Sequence, residues 1–368
     1  MSMVEWKKLG DIFEIKKGRS LSKDDIGSGD FPVILYGELY TTYDDYITTI
    51  YSSVSTEIAA EATPLKYNDL VLPVSSTTKE AQIGKVSVIK CKEAVSLGGD
   101  ALIFRSNLNA DYLMYYLNSQ LFEKEKMQCV NGTTIMHLSP KKIADKLVPL
   151  PSPEEQSRIV GILDTFTASI ANLKEQIGER RKQYNHYRDQ LLELEGKEGV
   201  EMKMLGEVVE LARGVRVVKT DLAMEGMIPV FQNSLSPLGY YDIHNYPAGT
   251  TFVISAGAAG DIGFSDVPFW AADDCLGVTC KNDVLNKFVF YFLQTKQTTL
   301  KSQVRKASVP RLSRIVVEKL SFPCIPISEQ ARIVNILDQF EASIANLEAQ
   351  LQEREKQYEH YRNQLLTF

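Results

Sequence analysis

The sequence predicts an α+β protein of two globular, α/β-mixed domains separated by a long antiparallel two-helix coiled coil, with a pseudo-twofold relation between its halves. Three observations lead there: a long segment occurs twice, the segment carries a heptad pattern, and each copy follows a domain-sized stretch of short strand-like runs. Residues 155–192 read EQSRIVGILDTFTASIANLKEQIGERRKQYNHYRDQLL, and residues 329–366 read EQARIVNILDQFEASIANLEAQLQEREKQYEHYRNQLL, with 27 of 38 aligned positions identical. Shared helical composition does not produce that identity; an internal duplication does.

In the first copy Ile159, Leu163, Phe166, Ile170, Leu173, Ile177, Tyr184, Tyr187, Leu191 and Leu194 follow steps of four and three, with Arg180 filling the one gap. The second runs Ile333, Leu337, Phe340, Ile344, Leu347, Leu351, Arg354, Tyr358, Tyr361, Leu365, Phe368. A heptad seam of this length cannot be buried by one helix, so the two copies are expected to pack on each other. At 1.5 Å per residue each would make a rod of about 55 Å. The domain between the copies should have its ends close together, which predicts an antiparallel pair. Arg180 and Arg354 interrupt the seam at equivalent places, and each head is expected to reach a carboxylate across or beside it.

The first 150 residues alternate β-rich runs (13–15, 32–35, 70–74, 85–89, 101–104) with a helical stretch over 110–128, punctuated by Gly18, Gly27, Gly29, Gly98 and Gly99. Residues 200–327 repeat the plan faintly. LGDIFEIKKGR at 9–19 answers LGEVVELARGV at 205–215, DYLMYYLNS at 111–119 answers KFVFYFLQT at 287–295, and LSPKKIADKL answers LSRIVVEKL. Pro149, Pro151 and Pro153, and later Pro323 and Pro326, set where each rod begins, and Ser152 and Ser328 are the expected N-caps.

The chain of 368 residues has a formal net charge of −6. Lys+Arg against Asp+Glu is 17 to 19 over 1–152, 7 to 9 over 153–199, 13 to 12 over 200–327 and 4 to 7 over 328–368, so the acidity lies mostly on the helical segments. Local basic faces are compatible with that balance; a uniformly basic surface is not. The five cysteines form no CxxC pair, which argues against a zinc site or a disulfide framework. No apolar run is long enough to span a bilayer and the N-terminus lacks a signal-like core, so a cytoplasmic protein is expected.

PLPSPEEQSRIVGILDTF and PISEQARIVNILDQF each close a domain that opens with WKKLGDIFEIKKGRS or MKMLGEVVELARGV. In this arrangement the chain resembles the specificity subunit of type I restriction-modification systems over essentially its full length. The resemblance implies a non-catalytic reader of double-stranded DNA: target recognition domains at 1–152 and 198–326, and spacer helices at 153–197 and 327–368. It also implies an asymmetric bipartite target, two methyltransferase subunits docked on the helices, and restriction/translocase subunits joining that core, with one copy of this chain per complex. S-adenosylmethionine, ATP and Mg would then be held by the partners. The chain itself has no NPPY- or DPPY-type methylase motif and no Walker A sequence. A different class, a coiled-coil scaffold joining two protein-binding domains, is the alternative that the acidity favours and the basic loops disfavour.

Candidate DNA contacts follow from basic and polar loops at equivalent places. Lys16, Lys17 and Arg19 flank Gly18 at a strand end, and Arg213, Arg216 and Lys219 answer them. Ser76, Thr77 and Lys79 follow the LVLPV run, Thr133 and Thr134 precede the first Leu-Ser, and Arg305, Lys306 and Arg311 precede the second. Gln232 carries the donor-acceptor pair that suits adenine. SAGAAGDIG at 255–263 has dinucleotide-like glycines, but no helical pattern follows them, so a Rossmann site is rejected. His186 and His360 read as helix-surface or packing residues, and Asp273 and Asp274 as structural.

Overall fold

The structure, a computed structural model, describes residues 4–19, 21, 23–76, 83–132, 135–218, 220, 222–281, 283–306 and 308–368. It divides into two compact units: residues 1–172 with 351–368, and residues 173–350. Among the described residues no helix is long and apolar enough to cross a membrane.

In the first unit Glu5–Lys8 pairs antiparallel with Leu147–Leu150, so the first strand and the last are stitched together. Between them runs a five-stranded sheet in the order Glu14–Lys17, Ala101–Arg105, Leu70–Pro73, Ser87–Ile89, Tyr46–Ile47. Side chains alternate across a strand, and here both faces are covered. Leu70, Leu72, Leu102 and Phe104 join a core with the helical Tyr112, Leu113 and Tyr116, while Val71, Ala101 and Ile103 pack with Ile34 and Leu97 on the other side.

The helix expected over 110–128 is two helices, Ala110–Leu117 and Gln120–Met127. Asn118 at the break turns its amide onto the backbone of Val86, accepting from its N–H and donating to its C=O at 2.8 Å each. The Ser119 hydroxyl then accepts from Phe122 N–H and starts the second helix.

The second unit repeats the first in the order of its main-sheet strands, with one strand fewer. Glu201–Met204 pairs antiparallel with Ser321–Cys324. Its main sheet runs Val209–Arg213, Cys275–Cys280, Thr250–Ile254, Ile262–Ser265, with helix Asn286–Ser302 packed on it. A parallel pair recurs in both units, Phe31–Leu35 with Ser96–Gly98 and Ile228–Phe231 with Trp270–Ala271, and the first unit has a further one, Tyr46–Ile47 with Ser87–Ile89.

The duplicated segments form the helices Pro153–Leu192 and Ile327–Leu365. Ser152 caps the first by accepting from Glu155 N–H. Ser328 does not cap the second. That helix starts one residue earlier, so the serine lies inside its first turn.

In the second unit the cross-helix partners are Arg181 with Glu348, Tyr184 with Glu341, and Tyr187 with Phe340. Numbers fall along one helix as they rise along the other, so the pair is antiparallel there. In the first unit Phe166 stacks on Tyr361 with centroids 5.3 Å apart. The two seam arginines do not behave as expected from the sequence. The Arg180 guanidinium lies over Phe340 at 5.9 Å and the Arg354 guanidinium over Phe166 at 5.7 Å. A phenylalanine face across the seam offers a flat, weakly hydrated guanidinium a partner that a carboxylate would have to be desolvated to match.

The EQxRIVxILD motif has a structural account. Gln156 and Gln330 are buried, and each Nε2 donates to a carbonyl five residues back, Pro151 and Ile325, at 2.9 Å. Glu155 and Glu329 each receive two hydrogen bonds from the arginine three residues on. Ile159, Leu163, Ile333 and Leu337 are fully buried in the cores. The closing aspartates take buried tyrosines: Asp164 accepts from Tyr115 at 2.6 Å and Tyr46 at 2.9 Å, and Asp338 accepts from Tyr291 at 2.5 Å. The motif therefore ties each helix to the domain that precedes it.

Tyr291 also donates to Glu341 (3.0 Å), which accepts from Tyr184 as well. Burial pushes the Glu341 carboxyl above its ordinary value, with the tyrosine hydroxyls pulling the other way. A carboxyl whose folded pKa is raised stabilises the fold below its unfolded pKa, and that contribution is lost as pH rises through the folded value. Glu341→Gln is therefore expected to lose less stability than wild type between pH 5 and pH 7 in urea titrations. An equal or steeper loss would count against this role.

Candidate nucleic-acid interface

In the first unit the strand Glu14–Lys17 ends beside three others. Gly18 N–H donates to Ala101 O at 2.8 Å, and a Cβ at Gly18 would stand 2.9 Å from Gly99 O, so only glycine lets the chain pass this close. Lys17 Nζ then lies 3.0 Å from Asp100 Oδ1. Ser75 Oγ donates to Asp100 Oδ2 at 3.0 Å and sits 2.9 Å from His137 Nδ1. Strand Met136–Leu138 brings His137 there by pairing with Ser75–Ser76. Lys17, Asp100, Ser75 and His137, scattered over 120 positions, thus form one chain of contacts. The Lys17 ammonium, hydrogen-bonded to Asp100, is the main reason its carboxyl is held below the usual range.

This Ser, His and Asp set is not a nucleophilic triad. In a triad the imidazole stands between hydroxyl and carboxylate. Here the hydroxyl stands between the other two: it gives its proton to Asp100, so the imidazole Nδ1–H must donate to it. The imidazole, as donor, is therefore not placed to take the serine proton for attack.

The second unit builds the same arrangement. Gly214 N–H donates to Cys275 O at 2.8 Å, and a Cβ at Gly214 would stand 2.3 Å from the carbonyls of Ala271 and Ala272. Arg213, the counterpart of Lys17, lies 3.7 Å from Asp274 and donates its Nε–H to the Asp273 carbonyl. Arg311, the counterpart of His137, lies 3.8 Å from the same Asp274 oxygen. Gln232 Nε2 donates to Asp273 Oδ1 at 3.2 Å, and Arg305 exchanges backbone hydrogen bonds with Arg311. Arg213, Arg305, Lys306 and Arg311 all have exposed side chains.

The structure thus brings together Lys17 and the Ser75–Ser76 strand in one unit, and Arg213, Gln232, Arg305 and Arg311 in the other, while Lys306 is exposed next to Arg305 in the chain. Ser76 is buried, and Arg19 is exposed and accepts at its carbonyl from Gly99 N–H. Lys16 is not brought in, because alternation turns it to the opposite face, where it meets Glu14 at 2.9 Å. Arg216 is exposed beyond the strand end. Thr77, Lys79, Thr133, Thr134 and Lys219 lie outside the described residues. Sequence reasoning missed Asp100 and His137, and passed Asp274 over. The signal was present: Asp100 and Asp274 stand at the same 174-residue offset as the duplicated helices. Among the described residues no group of three His, Cys, Asp or Glu side chains is placed to hold a metal ion.

In each unit a strand end carries exposed basic side chains that can meet a polyanion, Lys17 in the first and Arg213, Arg305 and Arg311 in the second. The family described as type I restriction modification DNA specificity domain matches residues 1–180 and 197–356, and the chain belongs to it. The chain is 30% identical to the Escherichia coli type I restriction enzyme EcoR124I/EcoR124II specificity subunit over 61% of its own length and 64% of that protein. It is 28% identical to a Haemophilus influenzae putative type I specificity subunit, over 72% and 74%. In fold it is similar to the crystal structure of a type I restriction-modification S subunit from M. genitalium, with a TM-score of 0.68 at 17% identity, covering 100% of this chain and 97% of that one.

Proposed function

We propose that this chain is the DNA sequence-reading subunit of a type I restriction-modification enzyme and performs no catalysis itself. Residues 1–152 and 198–326 act as target recognition domains, each reading one half of an asymmetric bipartite site. The helical segments 153–197 and 327–368 form the two-helix spacer that sets the gap and docks two methyltransferase subunits, and restriction/translocase subunits join that core. The observation that carries this reading is the strand-end cluster built twice around an aspartate, from Lys17, Ser75 and His137 and from Arg213, Arg305 and Arg311. Positive side chains at a strand end, next to glycine-tight backbone, suit both phosphates and the guanine edge. The two clusters differ in every cation, so the two half-sites should differ.

The test is to map modified bases in DNA from cells that carry the chain with its methyltransferase partner. Two unlike half-sites at a constant gap are expected. Exchanging residues 1–152 for those of another specificity subunit should change one half-site and leave the other and the gap intact. A continuous motif, or a change in both halves, would overturn the reading.

A further inference from the structure

The carboxylates at the centre of the two cationic clusters do not help a protein whose task is only to hold phosphates. A phosphate brings acceptors and negative charge, and so does an aspartate. Yet Asp100 and Asp274 occupy equivalent positions: Lys17 and the Ser75 hydroxyl contact the first, with His137 held one step further out on Ser75, and Arg213 and Arg311 contact the second. The cations and the histidine have been exchanged between the copies while the carboxylate is the same. Asp274 is only 19% exposed in its side chain, so it sits behind the arginines and not out in solvent.

Two physical consequences follow. The carboxylate holds long side chains in a fixed register before DNA arrives, which lowers the rotamer entropy lost on binding. It also gives each cluster an acceptor that no phosphate can satisfy. In the major groove only exocyclic amino groups, N4 of cytosine and N6 of adenine, supply donors. We propose that Asp100 and Asp274 are specificity-determining residues that penalise phosphate-only contact and favour a base edge presenting an exocyclic amino group. This rests on the DNA-reading function proposed above.

The experiment uses the complex with its methyltransferase subunits. Binding is measured at one salt concentration to a duplex carrying the mapped target and to a scrambled duplex of equal length, for wild type, Asp100→Asn and Asp274→Asn. Asparagine keeps the size and one acceptor but removes the charge. The ratio of target to scrambled affinity is expected to fall by about tenfold or more, with scrambled-duplex binding unchanged or tighter. A merely structural aspartate would not tighten scrambled binding. A ratio within about twofold of wild type, or parallel loss on both duplexes, overturns the proposal. So does loss of fold in the variants, read by circular dichroism, because it makes the aspartates structural. A wild-type complex without preference for the mapped target would refute the DNA-reading function itself, before any variant is compared.

Discussion

Replacing Arg213 and Arg311 together with alanine is expected to weaken binding to the target duplex by about 100-fold or more, because each cation contributes on the order of 1–3 kcal/mol when it meets a base edge. The two flank Asp274, at 3.7 and 3.8 Å. Removing both therefore takes away two attractive charges and leaves an unshielded carboxylate facing the phosphates. The loss should exceed the sum of the single variants for that reason, since residues sharing a partner are not additive. The salt dependence separates two roles. If both arginines sit on phosphates, the log-log salt slope falls by about two. If they read bases, the slope changes little and the second half-site relaxes in the modification map. Gel-shift titration across a salt series, with the modification map alongside, distinguishes these outcomes. Unchanged affinity would remove Arg213 and Arg311 from the interface.

The second large effect concerns stability. Gln330→Leu is expected to destabilise the second unit by about 3–5 kcal/mol, since each buried polar group left without a partner costs roughly 1–3 kcal/mol. Gln330 is 1% exposed and serves three backbone groups: it accepts from Leu285 N–H and donates to the carbonyls of Asp283 and Ile325. Asp283 is held at φ +69°, a left-handed conformation unusual for a residue with a side chain, and the Gln330 bond helps hold it there. Leucine fills the space but can answer none of the three. Gln156→Leu removes a single bond to Pro151 O and should cost about 1–2 kcal/mol. Hydrogen exchange of the amides in Asn286–Ser302 reads the loss locally, where a global melt would mix the two units. Equal effects at the two glutamines would contradict this account.

Much of the molecule was legible because it is local and periodic. Steps of three and four residues mark a helix wherever the chain lies, so the two long helices follow from the heptads; which seam residues meet, Phe166 with Tyr361 and Phe340 with Tyr187, is seen only in the structure. The misread points were decided by partners outside the window. Asn118 breaks a helix because Val86, 32 residues away, offers its backbone. Arg180 and Arg354 found rings where carboxylates were expected because the facing residue depends on the register between helices.

The binding clusters show the same division. By itself the sequence determined the duplication, the two long helices, the glycines that admit tight strand ends, and the supply of cations at 16–19, 213–216 and 305–311. Only the tertiary structure decided which of those cations share a face. Strand alternation sends Lys17 to Asp100 and Lys16 away to Glu14, and the pairing of 136–138 with 75–76 carries His137 to Ser75. The physical reason is that a hydrogen-bonded ladder between distant strands fixes where side chains meet, and no one-dimensional pattern records which strands will pair.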